Sequence, residues 1–205
     1  MLSVDPTKRM TGGALLGDRI RMNVLSSGRV YMRSLATRSS GSEISAALDD
    51  AIRIAKAAGF DLIVAETSGI GQADAGIIGL CDVAVYVMTP EFGAQTQLEK
   101  IEMIDLADIV IVNKYDKPGG EDALRDVRKA YQRSHNRWHD DPESMPVYAT
   151  ISSHFGDPGC NTAYERIVEA LAAKAPNAHL DPAAGRFAAH RALGLPDLAY
   201  IIPPR

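Results

Sequence analysis

Four short apolar runs, at residues 62–65, 83–88, 109–112 and 147–149, recur with helix-period patterns between them, and this alternation restricts the fold more than any other feature. The helical patterns cover residues 73–79, 96–105, 121–137 and 162–173. Continuous apolar runs suit strands buried on both faces. Strand and helix alternating over about 150 residues imply an α/β fold, an open and mostly parallel sheet with helices on both faces. Upstream, Leu2-Ser3-Val4 reads as a strand stopping at the Asp5-Pro6 turn, residues 19–25 as a short helix and residues 30–35 as a weak strand. Ser42 is placed to cap a helix whose apolar stripe, which includes Leu48, Ile52 and Ala55, ends at Gly59.

A chain of 205 residues with 46% hydrophobic content can bury a core, which excludes intrinsic disorder. Its 22 Lys and Arg against 26 Asp and Glu leave a formal charge of −4. The basic footprint of a general nucleic-acid binder is therefore missing, and no nucleic-acid partner is expected. No window holds the roughly 18 consecutive apolar residues of a membrane helix, and basic residues interrupt the first thirty positions as no signal peptide allows. A cytoplasmic protein with no membrane partner is the expectation. Cys81 and Cys160, without a CxxC spacing, fit a reducing compartment in which both are buried thiols. Beyond residue 175 the composition turns to Pro, Ala and Gly, so residues 1–175 read as the folded domain and 176–205 as a linker.

In such sheets ligands sit at the carboxyl ends of strands. The run at 62–65 delivers Glu66-Thr67-Ser68-Gly69-Ile70-Gly71-Gln72. A carboxylate at a strand tip can hold Mg²⁺, and the glycines let a backbone amide approach a phosphate closely; a plain strand-to-helix turn is the other reading. The run at 109–112 delivers Asn113-Lys114-Tyr115-Asp116. This tetrad suits guanine: the Asp carboxylate accepts from base N1 and the 2-amino group, the Asn amide fixes the loop, and the Lys stem covers the ring. Adenine lacks that donor pair, which argues against an ATP-using kinase. Asp5 and Asp18 flank a glycine-containing loop, as in a switch segment whose carboxylates sense a metal beside the γ-phosphate. Equally, Asp5 could only start a Pro turn and Asp18 only cap a helix. His135 and His139, four apart beside Trp138, read as a solvated helix end rather than a metal site.

These words, together with Gly12-Gly13-Ala14-Leu15-Leu16-Gly17-Asp18-Arg19-Ile20-Arg21-Met22 and Met88-Thr89-Pro90-Glu91-Phe92-Gly93-Ala94, resemble the G-protein chaperones of cobalamin-dependent acyl-CoA mutases. More closely, the chain is similar to the GTPase domain of the fused isobutyryl-CoA mutases, over nearly its whole length. The resemblance implies a P-loop NTPase-like fold and a GTP-hydrolysing chaperone that couples nucleotide state to cofactor loading or protection of the mutase. Its cofactors would be GTP or GDP and Mg²⁺, with adenosylcobalamin confined to the associated mutase regions. Asp5, Asp18 and Glu66 would serve the metal, Gly69 and Gly71 the second switch near the γ-phosphate, and Gln72 would stand close behind. Residues 95–100 resemble a third switch that relays nucleotide state to the mutase, with Lys100 the residue to mutate there. Asn113, Lys114 and Asp116 would select guanine, and Ala149, Thr150 and Ser152 would complete the base pocket. The partners implied are the cobalamin-binding and substrate-binding regions of an acyl-CoA mutase, toward which residues 176–205 would lead; a homodimer is left open.

The family's phosphate loop, G-x-x-x-x-G-K-[ST], does not occur in these 205 residues. The expectation is an N-terminally truncated GTPase domain lacking its first strand and the following helix. Hydrolysis by this chain alone should then be very slow, and the strands at 62–65 and 83–88 should each present an edge. The competing reading is a nucleotide-incompetent docking module of the same fused mutase.

Overall fold

Parallel pairing of the apolar runs organises both halves of the chain. The computed structural model describes residues 1–6, 25, 28–37, 47–67, 74–93, 98 and 101–175, which fall into two compact units, Met1–Cys81 and Asp82–Arg205.

In the first unit, β1 (Leu2–Pro6) lies between β2 (Arg33–Thr37) and β3 (Ala65–Thr67), both parallel to it. Leu2 stands opposite Arg33 on one side and Ala65 on the other. Helix α1 (Leu48–Ala57) packs on β1 because Leu48 and Ile52, one turn apart, meet Leu2 and Val4 in a small apolar core. The helix ends where its pattern says it should. Gly59 takes a left-handed φ of 79°, and the amides of Gly59 and Phe60 bond back to the carbonyls of Lys56 and Ala55.

The second unit carries β4 (Val85–Met88), β5 (Ile109–Asn113) and β6 (Val147–Thr150), all parallel with β5 central. Short helix α2 (Met103–Leu106) and long helices α3 (Gly120–Ser134) and α4 (Pro158–Lys174) complete it. Ala123, Val127 and Tyr131 recur every four residues on α3 and pack with Val110, Val112 and Val147. Charged pairs such as Arg125–Asp122, at 2.9 Å, occupy the solvated face. At the amino end of β5, Asp108 accepts the Ala84 amide at 2.8 Å and the Lys174 ammonium at 2.6 Å, tying β4 and the end of α4 to one carboxylate.

The structure shifts several expected elements. The run at 62–65 is not a strand buried on both faces: β3 begins at Ala65, and Leu62 and Val64 are 51% and 47% exposed. Ile63 and Ala65 alone turn to the core, so the run alternates as a one-sided strand does. The pattern at 73–79 forms a 3-10 turn over Asp74–Leu80, consistent with two glycines that disfavour a full α-helix. Of the helix expected at 96–105, residues 98 and 101–105 are described: Leu98 is buried and α2 starts only at Met103. The weak strand at 30–35 falls at Arg33–Thr37. Both cysteines are only partly buried. The short helix expected at 19–25 lies almost wholly outside the described residues. Among the described residues β3 pairs only with β1 and β4 only with β5.

Ile104 is fully enclosed in the second unit's core. Ile104→Ala should destabilise that unit by about 2–5 kcal/mol, read as an earlier urea midpoint in the fluorescence of Trp138, the only tryptophan.

Candidate functional site

Strands β5 and β6 end in register, with Asn113 opposite Thr150. Side chains at these two positions meet at the last pair of the ladder. Asn113 Oδ1 accepts from Thr150 Oγ1 at 3.1 Å, from the Ser152 amide at 3.2 Å and from Ser152 Oγ at 2.5 Å. An amide oxygen has two lone pairs, so three donors saturate it. The Asn113 amide nitrogen makes no hydrogen bond among the described residues, which leaves its donors available.

The loop after β5 is held in an uncommon shape. Lys114 has a φ of 57°, a left-handed conformation that costs a non-glycine residue energy and persists only where neighbours enforce it. The neighbours are backbone: the Tyr115 amide bonds to the Thr150 carbonyl at 3.1 Å, and the Lys117 amide to the Lys114 carbonyl at 3.0 Å. Helix α3 begins immediately behind, where Gly120 lies so close to the Tyr115 carbonyl that a Cβ would collide with its oxygen. Asp116 is left partly exposed on the loop, its carboxylate 3.7 Å from the Lys117 ammonium.

The loop after β6 is backed in the same way. A Cβ on Gly159, in the first turn of α4, would strike the Ala149 carbonyl. Asp157 caps α4, accepting the Cys160 amide at 2.7 Å, and the same oxygen accepts the Ile151 amide at 3.1 Å. Burial, and then the hydrogen bond and charge of Asp157, push the Cys160 thiol up to about 11, so it stays protonated beside the loop at neutral pH.

Asn113, Lys114, Asp116, Ala149, Thr150 and Ser152 are thus gathered at one end of β5 and β6. In the other unit, Glu66 lies on β3 opposite Ser3, whose hydroxyl donates to its Oε2 at 3.0 Å. Asp5 stands on β1 opposite Ala36, two residues further along the strand than Ser3, the residue that faces Glu66. Asp18, Gly69, Gly71, Gln72 and Lys100 lie outside the described residues. No group of three His, Cys, Asp or Glu side chains is arranged to hold a metal ion among the described residues. The His135 ring stacks on Tyr131 with centroids 3.8 Å apart. No helix among the described residues is long and apolar enough to cross a membrane.

Two residues near the loops went unremarked as site candidates in the sequence. The carboxyl of Glu91, just past β4, is held below its ordinary range by a hydrogen bond from Thr89, by its own backbone and by Lys114 and Lys117. Asp157 carries a legible signal as a cap, Asp followed by Pro at the first helical position. Its second bond, to Ile151, depends on the fold.

Two parallel sheets with helices, and loops gathered at the strand ends of the second, make this an α/β chain. A solved LAO/AO transport system kinase shares the fold with a TM-score of 0.52 at 18% identity, over 94% of this chain and 57% of that one. The chain belongs to the MeaB family, the methylmalonyl Co-A mutase-associated GTPases, whose family model matches residues 1–181. It is 62% identical over 175 residues to a fused isobutyryl-CoA mutase of Geobacillus kaustophilus, a match covering 85% of this chain and 16% of that protein. A fused isobutyryl-CoA mutase of Cupriavidus metallidurans is 56% identical over 174 residues, again 85% of this chain and 16% of that one. The chain therefore spans about a sixth of the length of these relatives.

Asn113→Ala would leave the buried Thr150 hydroxyl and the Ser152 amide without their acceptor. The expected loss is about 1–3 kcal/mol in urea unfolding followed at Trp138; an unchanged midpoint would show that the network does not hold the two strand ends together.

Proposed function

We propose that this chain is the guanine-binding part of a switch that couples GTP or GDP binding to cofactor loading or protection of a cobalamin-dependent acyl-CoA mutase, of the isobutyryl-CoA or methylmalonyl-CoA type. The observation that carries the reading is the Asn113-centred network, which joins the loop bearing Lys114 and Asp116 to the turn at 150–152. In this reading Asp116 accepts from guanine N1 and the 2-amino group, the Lys114 stem covers the ring, and Ala149, Thr150 and Ser152 close the pocket with backbone groups. Family membership and the fused relatives support the mutase as partner, through its cobalamin-binding and substrate-binding regions, with residues 176–205 as the linker. Adenosylcobalamin would belong to those regions.

Glu66 offers the hard carboxylate oxygens that Mg²⁺ prefers, and with Asp5 and Asp18 it would serve the ion, which when bound neutralises charge on the β- and γ-phosphates. Gly69, Gly71 and Gln72 would lie toward the γ-phosphate, and Lys100 would pass the nucleotide state to the mutase. The setting is cytoplasmic. Hydrolysis by these residues alone should be very slow, because most catalysis in phosphoryl transfer comes from a phosphate cradle whose G-x-x-x-x-G-K-[ST] signature is not among the 205 residues. That same feature favours a second reading, a docking module that keeps the mutase-facing surface without binding nucleotide.

Competition against a fluorescent GDP analogue with Mg²⁺ separates the two. GDP should displace the probe at least about tenfold better than ADP, as expected where a buried polar site rejects the wrong base. Asp116→Asn replaces an acceptor by a donor and should move the preference from guanine to xanthine nucleotides. Equal displacement by GDP and ADP would contradict the guanine site, and no saturable binding would favour the docking module.

A further inference from the structure

We infer that Asp157 is a positioning residue for the base pocket: by holding the turn at 150–154 in one shape, it sets how well the site tells a 6-oxo purine from a 6-amino purine. The inference rests on the guanine-site reading above and names a determinant of its selectivity.

An ordinary helix cap satisfies amides of its own helix. Asp157 does that for Cys160 and also reaches back six residues to the amide of Ile151, with the same oxygen and from a position only 9% exposed. A carboxylate shared between two N–H donors in so dry a place makes strong, shape-defining bonds. The turn is thereby gripped from both sides, by Asn113 of β5 at Thr150 and Ser152 and by Asp157 of α4 at Ile151. The contact of Gly159 with the Ala149 carbonyl keeps the capped end of α4 seated on β6.

The amides of the turn can be accounted for one by one. That of Ile151 goes to Asp157, that of Ser152 to Asn113 and that of His154 to the Ile151 carbonyl at 2.8 Å. The Ser153 amide makes no hydrogen bond among the described residues and is the turn's open donor. A fixed N–H suits the O6 acceptor of guanine and opposes the amino group that adenine carries at the same place. Releasing the Ile151 amide would let the peptide planes of the turn rotate, so a carbonyl could face the base as readily as an N–H, and the discrimination would fade.

The test compares the 205-residue chain with Asp157→Ala, Asp157→Ser and Asp157→Asn. Competition binding measures GDP against 2,6-diaminopurine riboside 5′-diphosphate, which differs at position 6 and in the N1 proton. Serine still caps α4 but is too short to reach Ile151 as well, whereas the Asn oxygen can accept both amides. Asp157→Ala and Asp157→Ser should each lower the GDP preference about tenfold or more, while Asp157→Asn keeps it. A capping role alone would instead be rescued by Ser. Amide exchange provides a second arm independent of nucleotide: the Ile151 amide should lose protection in the Ala and Ser variants while those of β5 keep theirs. Unchanged Ile151 protection, or an unchanged GDP preference in the Ser variant, overturns the inference. A wild-type chain with no GDP preference would instead count against the guanine site itself, leaving the exchange arm to decide whether Asp157 holds the turn.

Discussion

The carbonyl oxygen of one side chain, Asn113 Oδ1, accepts hydrogen bonds from Thr150 and from the amide and hydroxyl of Ser152, and the arrangement of the second unit's loops follows from that. Past the end of a parallel ladder the loops stay together only where further bonds join them, as the Tyr115 amide joins the Thr150 carbonyl. Here the ladder ends at the Asn113–Thr150 pair, and the side-chain network extends the join by two residues into the turn. Thr150 is buried, so its hydroxyl needs a partner inside the protein, and Asn113 is that partner. The left-handed Lys114 is tolerable because the loops on either side of it are already fixed.

Behind each loop stands the first turn of a helix, and in both cases a glycine permits the approach. Gly120 lets α3 press against the Tyr115 carbonyl, and Gly159 lets α4 press against that of Ala149. The loops are therefore shallow structures on firm backing, the condition for placing hydrogen-bonding groups to within a fraction of an ångström. The first unit has its own polar pair within the β1–β3 ladder, Ser3 and Glu66, on a smaller core built from Leu2, Val4, Leu48 and Ile52.

Much of this was legible in the residues. The run at 109–112 is entirely β-branched and pairs in parallel with the weaker run at 147–149, and the tetrad that follows the first of them lies where an open sheet presents its ligands. The helix over Pro158–Lys174 was expected from residue 162, because its first turn reads as Pro and Gly until Asp157 is recognised as a cap. Other elements depended on information no local pattern holds. Residues 62–65 look like a strand buried on both faces, yet Leu62 and Val64 point away from the core. The apolar spacing at 73–79 is helical, but two glycines weaken the α form and a 3-10 turn results. Asp157 and Glu91 became candidates only once the fold brought Ile151 to the one and Lys114 and Lys117 to the other.

The claim on which the rest stands is that the ends of β5 and β6 form a single guanine-facing surface joined through Asn113. Amide chemical shifts of the ¹⁵N-labelled chain, followed as GDP and Mg²⁺ are added, test it most directly. Perturbations should concentrate in two segments at once, residues 113–117 and 150–154, and titrate with a common midpoint. Perturbation of one segment without the other, or of neither up to about 1 mM GDP, an affinity near −4 kcal/mol, would contradict the account.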